Sequence, residues 1–266
     1  MSRYIFDNAA PQAGQRFASL ETLYDPGTIR ALATTGVGPG WRCLEIGGGG
    51  GSIAAWLADR VGTTGHVLVT DIDPHFLAAL AALDRPNIEV RQHDIGTDPL
   101  PEGAFDLIHA RLVLIHVPTR REALGRLVAA LRPGGWLVVE DFGALLVDRL
   151  AAIADPAAAA LFAKLMATLR TLMRARGHED DWGRKLHQHF REHGLVDVAM
   201  MGQFAVWPGG SPGAALDRAN LGQVRAEAVA AGLITDDEVD RILALLDDPG
   251  FSVFSPVMLT ASGRRP

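Results

Sequence analysis

The sequence predicts an α/β protein in which helices cover both faces of a parallel sheet, and three observations support this prediction. From Trp41 to about Phe142, short runs rich in Val, Ile and Leu alternate with helical patterns, as in βαβ units. A run of five glycines follows the first predicted strand and precedes a helical pattern. The 266 residues are 48% hydrophobic and 21% charged, which suits one large globular domain with its own core.

The predicted strands of this core are short and consist mostly of Val, Ile and Leu. They are Arg42 to Ile46, His66 to Thr70, Ile88 to Gln92, Phe105 to His109 and Trp136 to Glu140. Before the last of them, Leu124, Leu127 and Leu131 recur on one face of a helix predicted over 120–132. Pro133 ends that helix, because proline cannot continue it. This alternation predicts one Rossmann-like core.

The segments outside the core have mainly helical patterns. Residues 1–40 are predicted to form an N-terminal helical cap, and 41–266 one domain with helical insertions at about 143–180 and 211–248. In the second insertion, Thr235 and Glu238 form a capping box. Two further strands are predicted at 196–207 and 251–260. The insertions are rich in Leu, Met and Phe, as a lid over an organic ligand would be.

The run Gly47 to Gly51 is the strongest functional signal in the chain. Glycine lets the backbone approach a ligand closely and adopt φ values that other residues avoid. Five glycines in a plain connector would lose conformational entropy with nothing to offset the loss. Because the run lies between a strand and a helix, a ligand-binding loop is favoured over a flexible connector.

Asp71 follows Gly51 by twenty residues, at the end of the next predicted strand. A carboxylate there can accept hydrogen bonds from both hydroxyls of a ribose, which predicts a nucleoside-bearing cofactor. Asp71 also suits a helix N-cap ahead of Pro74, and the two roles are compatible. Gly49, Gly51 and Ala54 fit the dinucleotide pattern G-x-G-x-x-A as well, which leaves NAD open as the cofactor.

Five segments occur in a fixed order along the core. They are the loop Glu45 to Gly51, the acidic segment Thr70 to Pro74, Gln92 to Ile95, the fourth-strand segment Phe105 to Arg111, and the turn Leu131 to Trp136. Together they resemble the ordered motifs of the class I S-adenosylmethionine (SAM) dependent methyltransferases. The resemblance covers about residues 41–142. It implies a doubly wound, mostly parallel sheet of seven strands, which the two later strands would complete, with helical lid insertions.

The resemblance also implies a set of cofactor-binding residues: Glu45, Gly47, Gly49, Gly51, Asp71, Ile72, Asp94, Ile95 and Ala110. The glycines would line the methionine part of SAM, with Glu45 near its amino group. Asp71 would hold the ribose. Asp94 would meet the adenine, which Ile72 and Ile95 would sandwich; a strand-end turn is the other role open to Asp94. SAM is therefore the expected cofactor, and S-adenosyl-L-homocysteine the expected product.

His116 and Arg111 are the candidates for work on the methyl acceptor, because both follow the fourth predicted strand. Some small-molecule members of the family use a histidine at the position of His116 as general base. The alternative, which is the more common role, is to hold the loop through a backbone hydrogen bond. Arg111 would either meet an acidic group or cap a carbonyl. His109 is expected to be a packed residue rather than a base.

No metal site is predicted. Three histidines lie close together in sequence, at His187, His189 and His193, and the last two are one helical turn apart, as in some metal sites. No acidic or cysteine ligand is in register with them. A solvated helix face is the favoured interpretation. Glu140 or Asp141 would follow the fifth strand, as a carboxylate does in metal-dependent catechol-type methyltransferases, but the later Asp-Asn pair of that group is not visible.

The net charge of -6 disfavours a nucleic-acid partner, and no apolar run approaches the roughly 18 residues of a membrane span. The single cysteine, Cys43, indicates a reducing cytoplasm. The predicted function is SAM-dependent methyl transfer to a small organic acceptor, such as a secondary metabolite or natural-product intermediate. A SAM-binding protein with a cyclase or regulatory role and an NAD-dependent oxidoreductase remain as alternatives. The acceptor atom and the oligomeric state stay open, and a homodimer is compatible with the sequence.

Overall fold

The computed structural model describes residues 5–6, 12–82, 85–143, 151–153 and 155–266. Its strands are β1 (Arg42–Ile46), β2 (His66–Asp71), β3 (Ile88–Gln92), β4 (Phe105–Arg111), β5 (Leu131–Gly143), β6 (Ala151–Ile153), β7 (Val196–Gln203), β8 (Val206–Pro208), β9 (Ser252–Phe254) and β10 (Val257–Arg264). Its α-helices are α1 (Ala13–Thr34), α2 (Ser52–Val61), α3 (Ala78–Ala81), α4 (Arg120–Ala130), α5 (Pro156–Arg174), α6 (Trp182–Glu192), α7 (Pro212–Ala230) and α8 (Asp236–Asp247). Two 3-10 turns lie at Pro74–Leu77 and Leu114–His116.

The main sheet has seven strands in the order β3-β2-β1-β4-β5-β10-β7. Strands β1 to β5 are parallel to one another, and β10 is antiparallel to both of its neighbours, β5 and β7. This confirms the predicted α/β class with a Rossmann-like, mostly parallel sheet. The strand order reverses direction between β1 and β4, and ligands of such sheets bind at that point, beyond the carboxyl ends of the strands.

Successive side chains of a strand point to opposite sides of the sheet, and in the central strands β1, β2 and β4 both sides are buried. Along β1, Cys43 belongs to the apolar cluster that includes Leu57 of α2, whereas Leu44 belongs to the cluster that includes Leu124 of α4. This two-sided burial explains why the strands read as continuous apolar runs rather than as alternating patterns.

The two late strands differ from the prediction, since each is broken in two. Strands β8 and β9 leave the main sheet and pair with β6 in a three-stranded sheet. Ala205 lies between β7 and β8, Ser255 lies between β9 and β10, and the two residues are hydrogen-bonded to each other. The Ser255 N–H donates to the Ala205 carbonyl at 2.8 Å, and the Ala205 N–H donates to the Ser255 hydroxyl at 2.9 Å. Pro256 has no N–H to continue the ladder. Side-chain chemistry at two positions therefore overrides a continuous β pattern.

Helices α1, α5, α7 and α8 share a third apolar cluster, to which Tyr24, Leu165, Leu221 and Val239 contribute. Parts of the predicted segments, residues 1–4, 7–11, 144–150 and 154, lie outside the described residues. Among the helices that the structure describes, none has the length and apolar character needed to cross a bilayer.

Candidate functional site

A cavity of about 610 Å³ lies beyond the carboxyl ends of the central strands. Its wall includes Ile46 at the end of β1, Asp71 at the end of β2 and Arg111 at the end of β4. The cavity therefore lies where the strand order reverses, the expected position for a ligand in this kind of sheet.

The glycine run forms one wall of the cavity and has the backbone geometry that only glycine adopts readily. Gly47, Gly49 and Gly51 have φ values of 69°, 53° and 90°. The N–H of Gly47 donates to the carbonyl of Thr70 at 2.7 Å, which ties the loop to β2. A Cβ on Gly47 would also collide with Val113. The loop is therefore a rigid turn rather than a flexible connector.

Seven predicted cofactor residues line this cavity: Glu45, Gly47, Gly49, Asp71, Ile72, Asp94 and Ile95. The two others do not. Ala110 is fully buried within β4. Gly51 is the N-cap of α2, and a Cβ there would lie 3.1 Å from Leu80, so its glycine serves the turn and its packing.

Asp71 accepts hydrogen bonds from two backbone N–H groups. Oδ2 accepts from Gly49 at 3.3 Å, and Oδ1 accepts from Asp73 at 3.0 Å. Burial raises the pKa of Asp71, and these hydrogen bonds oppose that rise. The helix-cap role that the sequence left open for Asp71 belongs to Asp73, whose side chain accepts from the His75 N–H at 3.2 Å. Asp71 itself faces the cavity.

Asp94 forms the strand-end turn that the sequence left open and also lies on the cavity wall. Its Oδ1 accepts from the Gly96 N–H at 2.7 Å, which makes a tight turn after β3, and the residue lines the cavity. Beside it, Ile95 is buried, whereas 57% of Ile72 is exposed. An exposed isoleucine and a buried one on the wall of one cavity provide apolar surface for a planar ring.

A buried charge network lies behind the cavity wall. Glu45 Oε2 is 2.7 Å from Nδ1 of His109, and Nε2 of His109 is 3.3 Å from Oε2 of Glu140. The hydroxyls of Thr28 and Thr260 donate to Glu140. Burial alone would lower the pKa of His109, but the two carboxylates reverse that effect and raise the pKa to about 9. His109 is packed, as predicted, and it is also a buried cation that the sequence did not indicate.

Helix α1 closes the other side of the cavity. Glu21 lines it, and burial together with Asp25 raises the pKa of Glu21. Arg111 reaches α1, where it forms an ion pair with Asp25 at 2.8 Å and donates to the hydroxyl of Thr28 at 2.9 Å. Of the two roles open to Arg111, contact with an acidic group is the one observed, and that group belongs to this chain.

A second, smaller cavity of about 190 Å³ adjoins the first. The two share four lining residues: Arg16, Leu20, Leu112 and His116. Apolar side chains dominate the rest of the smaller cavity, including Phe142, Met166, Leu169, Met173 and Trp207. His116 is therefore in the wall between the two cavities.

His116 faces a second histidine that sequence reasoning missed. Its Nδ1 is 3.3 Å from Nδ1 of His178, and Nε2 of His178 is 3.5 Å from Oδ1 of Asp180. Burial, then the neighbouring His178 and Arg16, lower the pKa of His116 well below its usual value. Burial also lowers the pKa of His178 to about 4. His178 lies in the connection between α5 and α6, where no periodic pattern marks it.

The interpretation of the α6 histidines as a solvated face is wrong for one of them. His189 is buried, its ring stacks on Trp182 with centroids 4.8 Å apart, and its Nδ1 is 2.8 Å from Glu192. Across the part of the chain that the structure describes, no group of three or more His, Cys, Asp or Glu side chains is arranged to hold a metal ion.

Comparison with known proteins gives a match in the same stretch. Residues 44–139 match the family model described as "Methyltransferase domain". The ubiquinone/menaquinone biosynthesis C-methyltransferase UbiE of Laribacter hongkongensis is 37% identical over 114 residues, 42% of this chain and 47% of that protein. Methyltransferase str3 of Strobilurus tenacellus is 37% identical over 112 residues, 41% of this chain and 38% of that protein. The chain thus spans less than half the length of these curated relatives.

A solved structure extends the likeness across the fold. Phosphoethanolamine N-methyltransferase 2 of Haemonchus contortus, in complex with phosphomonomethylethanolamine and S-adenosylhomocysteine, superposes with a TM-score of 0.59 over 94% of this chain and 57% of that chain. At 13% identity this likeness concerns the fold alone. Residues 44–139 are thus similar to a methyltransferase domain, and the seven-stranded sheet has the same fold as that solved methyltransferase.

Proposed function

We propose that this protein transfers a methyl group from SAM to a small organic acceptor of the kind found among secondary metabolites and natural-product intermediates. The observation that carries the proposal is the pairing of two cavities. A large one is lined by the glycine loop and acidic groups, and a small apolar one shares His116 with it. The first suits a charged nucleoside cofactor, and the second suits an organic acceptor.

The charges around the large cavity favour SAM over a dinucleotide. Its wall carries more carboxylates (Glu21, Glu45, Asp71 and Asp94) than guanidinium groups (Arg16 and Arg111). SAM brings a sulfonium and an ammonium group, which these carboxylates complement. NAD would bring a pyrophosphate to the start of α2. There the carboxylate of Glu21 lies against Gly50, so close that a Cβ on Gly50 would collide with it. The oxidoreductase alternative is therefore disfavoured.

The residues of the wall fit the parts of SAM. Asp71 would accept hydrogen bonds from the ribose hydroxyls and Asp94 from the adenine amino group, with Ile72 and Ile95 against the ring faces. Glu45, which the cationic His109 holds in place, would attract the ammonium group. When bound, SAM supplies a methyl group on a sulfonium, which is a strong electrophile.

The smaller cavity is the proposed acceptor site. Helix α1 contributes Leu20 to it, α5 contributes Met166 and Met173, and α7 contributes Leu216. These helices come from residues 1–40 and from the two insertions near 143–180 and 211–248. We therefore assign them as cap and lids on a catalytic domain of residues 41–266. Specificity would come from these additions, since the sheet supplies the cofactor site.

His116 is the proposed general base. Methyl transfer is an in-line displacement, so the chain must orient the acceptor and, for a hydroxyl, remove its proton. His116 contacts both cavities, and burial keeps its imidazole neutral and able to take a proton at neutral pH. Arg111 is assigned a supporting role, because its ion pair with Asp25 anchors α1 over the cofactor site.

The buried free thiol of Cys43 supports a reducing cytoplasmic location. Burial raises the pKa of this thiol to about 12, which keeps it unreactive. The net charge of -6 supports a small-molecule partner over a nucleic acid.

Two measurements on the purified protein test this function. Calorimetric titration should give binding heat with SAM and S-adenosyl-L-homocysteine and none with NAD. Incubation with labelled SAM and a panel of phenols, amines and indoles should give products heavier by one methyl group. Heat with NAD and none with SAM would refute the proposal. Binding of SAM without transfer to any acceptor class would favour the alternative of a SAM-binding protein with a regulatory role.

A further inference from the structure

Resting on the proposed function, we infer that His116, His178 and Asp180 form a proton relay, and that the acceptor it serves is a hydroxyl group on a single aromatic ring. The three side chains line the smaller cavity together, and His116 alone among them also lines the larger one. The relay thus ends where the acceptor and the cofactor methyl group would meet.

The order of donors in the relay follows from Asp180. Its carboxylate forms ion pairs with Arg174 at 2.5 Å and Arg170 at 4.0 Å, and a carboxylate can only accept hydrogen bonds. Nε2 of His178 faces it at 3.5 Å, so this nitrogen is the one placed to carry a proton in the relay. Nδ1 of His178 would then offer a lone pair to Nδ1 of His116 at 3.3 Å. In this arrangement His116 donates from Nδ1, and Nε2 would take the proton of the acceptor.

The charged groups around the pair keep it neutral until it accepts a proton. Arg16 of α1 and Arg120 of α4 act on His116, and Arg120, Arg174 and Glu179 act on His178 together with Asp180. Burial is the largest effect on both rings, and it favours the uncharged form. Asp180 opposes it at His178, so a proton arriving from His116 would find a carboxylate beside it.

The size and lining of the smaller cavity indicate the acceptor class. A dry cavity of about 150 Å³ lined by apolar side chains holds benzene, so about 190 Å³ accommodates one ring with small substituents. Phe142, Met173 and Trp207 supply apolar and aromatic surface for such a ring. A neutral aromatic amine needs no base, whereas a phenol, with a pKa near 10, must lose its proton as it reacts. A built relay therefore indicates a phenolic hydroxyl.

Methyl transfer from SAM to a phenol needs no further reactant. The phenolic oxygen forms the new bond to the methyl carbon, and the carbon–sulfur bond breaks with its electron pair going to sulfur, which becomes a neutral thioether. The phenolic proton passes to Nε2 of His116. The resulting positive charge is shared along His178 toward Asp180, and the proton returns to solvent when the product leaves.

The test compares the turnover of phenols with that of the corresponding anilines, in a relay variant and in a control variant. Methyl transfer from labelled SAM is measured with substituted phenols and with the corresponding anilines. His178→Ala should lower kcat for phenols by about 10- to 100-fold while SAM affinity and kcat for anilines stay within about twofold. The loss with phenols should shrink as the pH rises and the phenol ionises unaided. His187→Gln, on the half-buried face of α6 and outside both cavities, is the control and should match the wild type.

Asp180→Asn provides a second variant if His178→Ala does not fold. An amide can donate to Nε2 of His178 and reverse the tautomer, so kcat for phenols should again fall and that for anilines should not. Equal losses with both acceptors, no loss with phenols, or transfer by the wild type to anilines but to no phenol would each overturn the relay and leave the proposed function intact. Absence of SAM binding to the wild type would overturn both.

Discussion

Two histidines of one site, His109 fully buried and His116 half-buried, are held in opposite charge states. His109, in β4, lies between the carboxylates of Glu45 and Glu140, and its pKa is raised to about 9. His116, seven residues later, lies against His178 and near Arg16, and its pKa is lowered well below the usual value. Burial pushes both rings toward the neutral form, so the partners alone decide the difference.

The difference assigns the two rings to different tasks. A His109 that is charged at neutral pH holds the carboxylate of Glu45 at the proposed cofactor site, whereas a neutral His116 could accept a proton at the proposed acceptor site. Under the proposed function, cofactor binding and proton removal would thus be separated within one short stretch of chain.

Removal of the neutral histidine should abolish most turnover and spare cofactor binding. His116→Ala is expected to lower kcat for a hydroxyl acceptor by about 10² to 10⁴, because the loss is confined to proton transfer. Steady-state kinetics and SAM calorimetry on the same preparation measure the two effects. If turnover survives in a folded variant, His116 is structural and the acceptor is a carbon or a neutral nitrogen that depends on proximity alone.

Removal of the charged histidine should mainly destabilise the fold. His109→Leu leaves Glu45 and Glu140 as buried carboxylates without their shared cation, which should cost about 3 to 5 kcal/mol of the free energy of unfolding. Denaturant titration measures the loss. His116→Ala provides the contrast, because it removes a neutral ring and leaves no buried carboxylate without a cation. A His109→Leu protein as stable as the wild type would mean that His109 is uncharged in the native state.

On the cofactor side, Asp71 and Asp73 form a matched pair two residues apart. Asp71→Ala should weaken SAM binding by about 1.5 to 3 kcal/mol, because hydrogen bonds to a charged group are lost. Asp73→Ala removes the cap of the turn at Pro74–Leu77 and should cost stability of about 1 kcal/mol with little change in SAM affinity. Calorimetric titration of both variants decides the assignment, and the reverse pattern would exchange their roles.

The titrations of His109 and His178 should both affect the free energy of unfolding, with opposite dependence on pH. His109 has a raised pKa, so its stabilisation is complete below about 6.5 and is lost as the pH rises through about 9. His178 has a pKa lowered to about 4, so stability is lost as the pH falls from about 6.5 toward 4. Each contributes a slope of at most about 1.4 kcal/mol per pH unit.

Difference curves isolate these contributions, because burial also raises the pKa of Asp141 well above its usual value, so that this group loses stability as the pH rises above the usual carboxyl range. The unfolding free energy of the wild type minus that of His109→Gln should fall as the pH rises through about 9. The corresponding difference for His178→Gln should fall as the pH drops from about 6.5 toward 4. Parallel curves for a variant and the wild type would show that the substituted ring does not titrate as described.

The sequence was sufficient for the sheet and for the loop that carries the cofactor site. Apolar strand runs and the glycine run are local signals, and the observed β1, Arg42–Ile46, has the predicted bounds. Contacts between distant segments were not predictable. His109 and its two carboxylate partners come from three different strands, and His178 meets His116 across 62 positions of sequence. The shift of the cap from Asp71 to Asp73 depends on where β2 ends, which periodicity does not resolve to one residue.

Nitrogen-15 NMR of protein with labelled histidine rings, recorded at pH 7 with residue assignment by single substitution, tests the central contrast most directly. The ring nitrogen shifts distinguish a protonated imidazolium from each neutral tautomer. The structure predicts that His109 is a cation at this pH and that His116 is neutral, with its proton on Nδ1. A neutral His109, or a His116 that is cationic or carries its proton on Nε2, would contradict the separation of charge and base between the two rings.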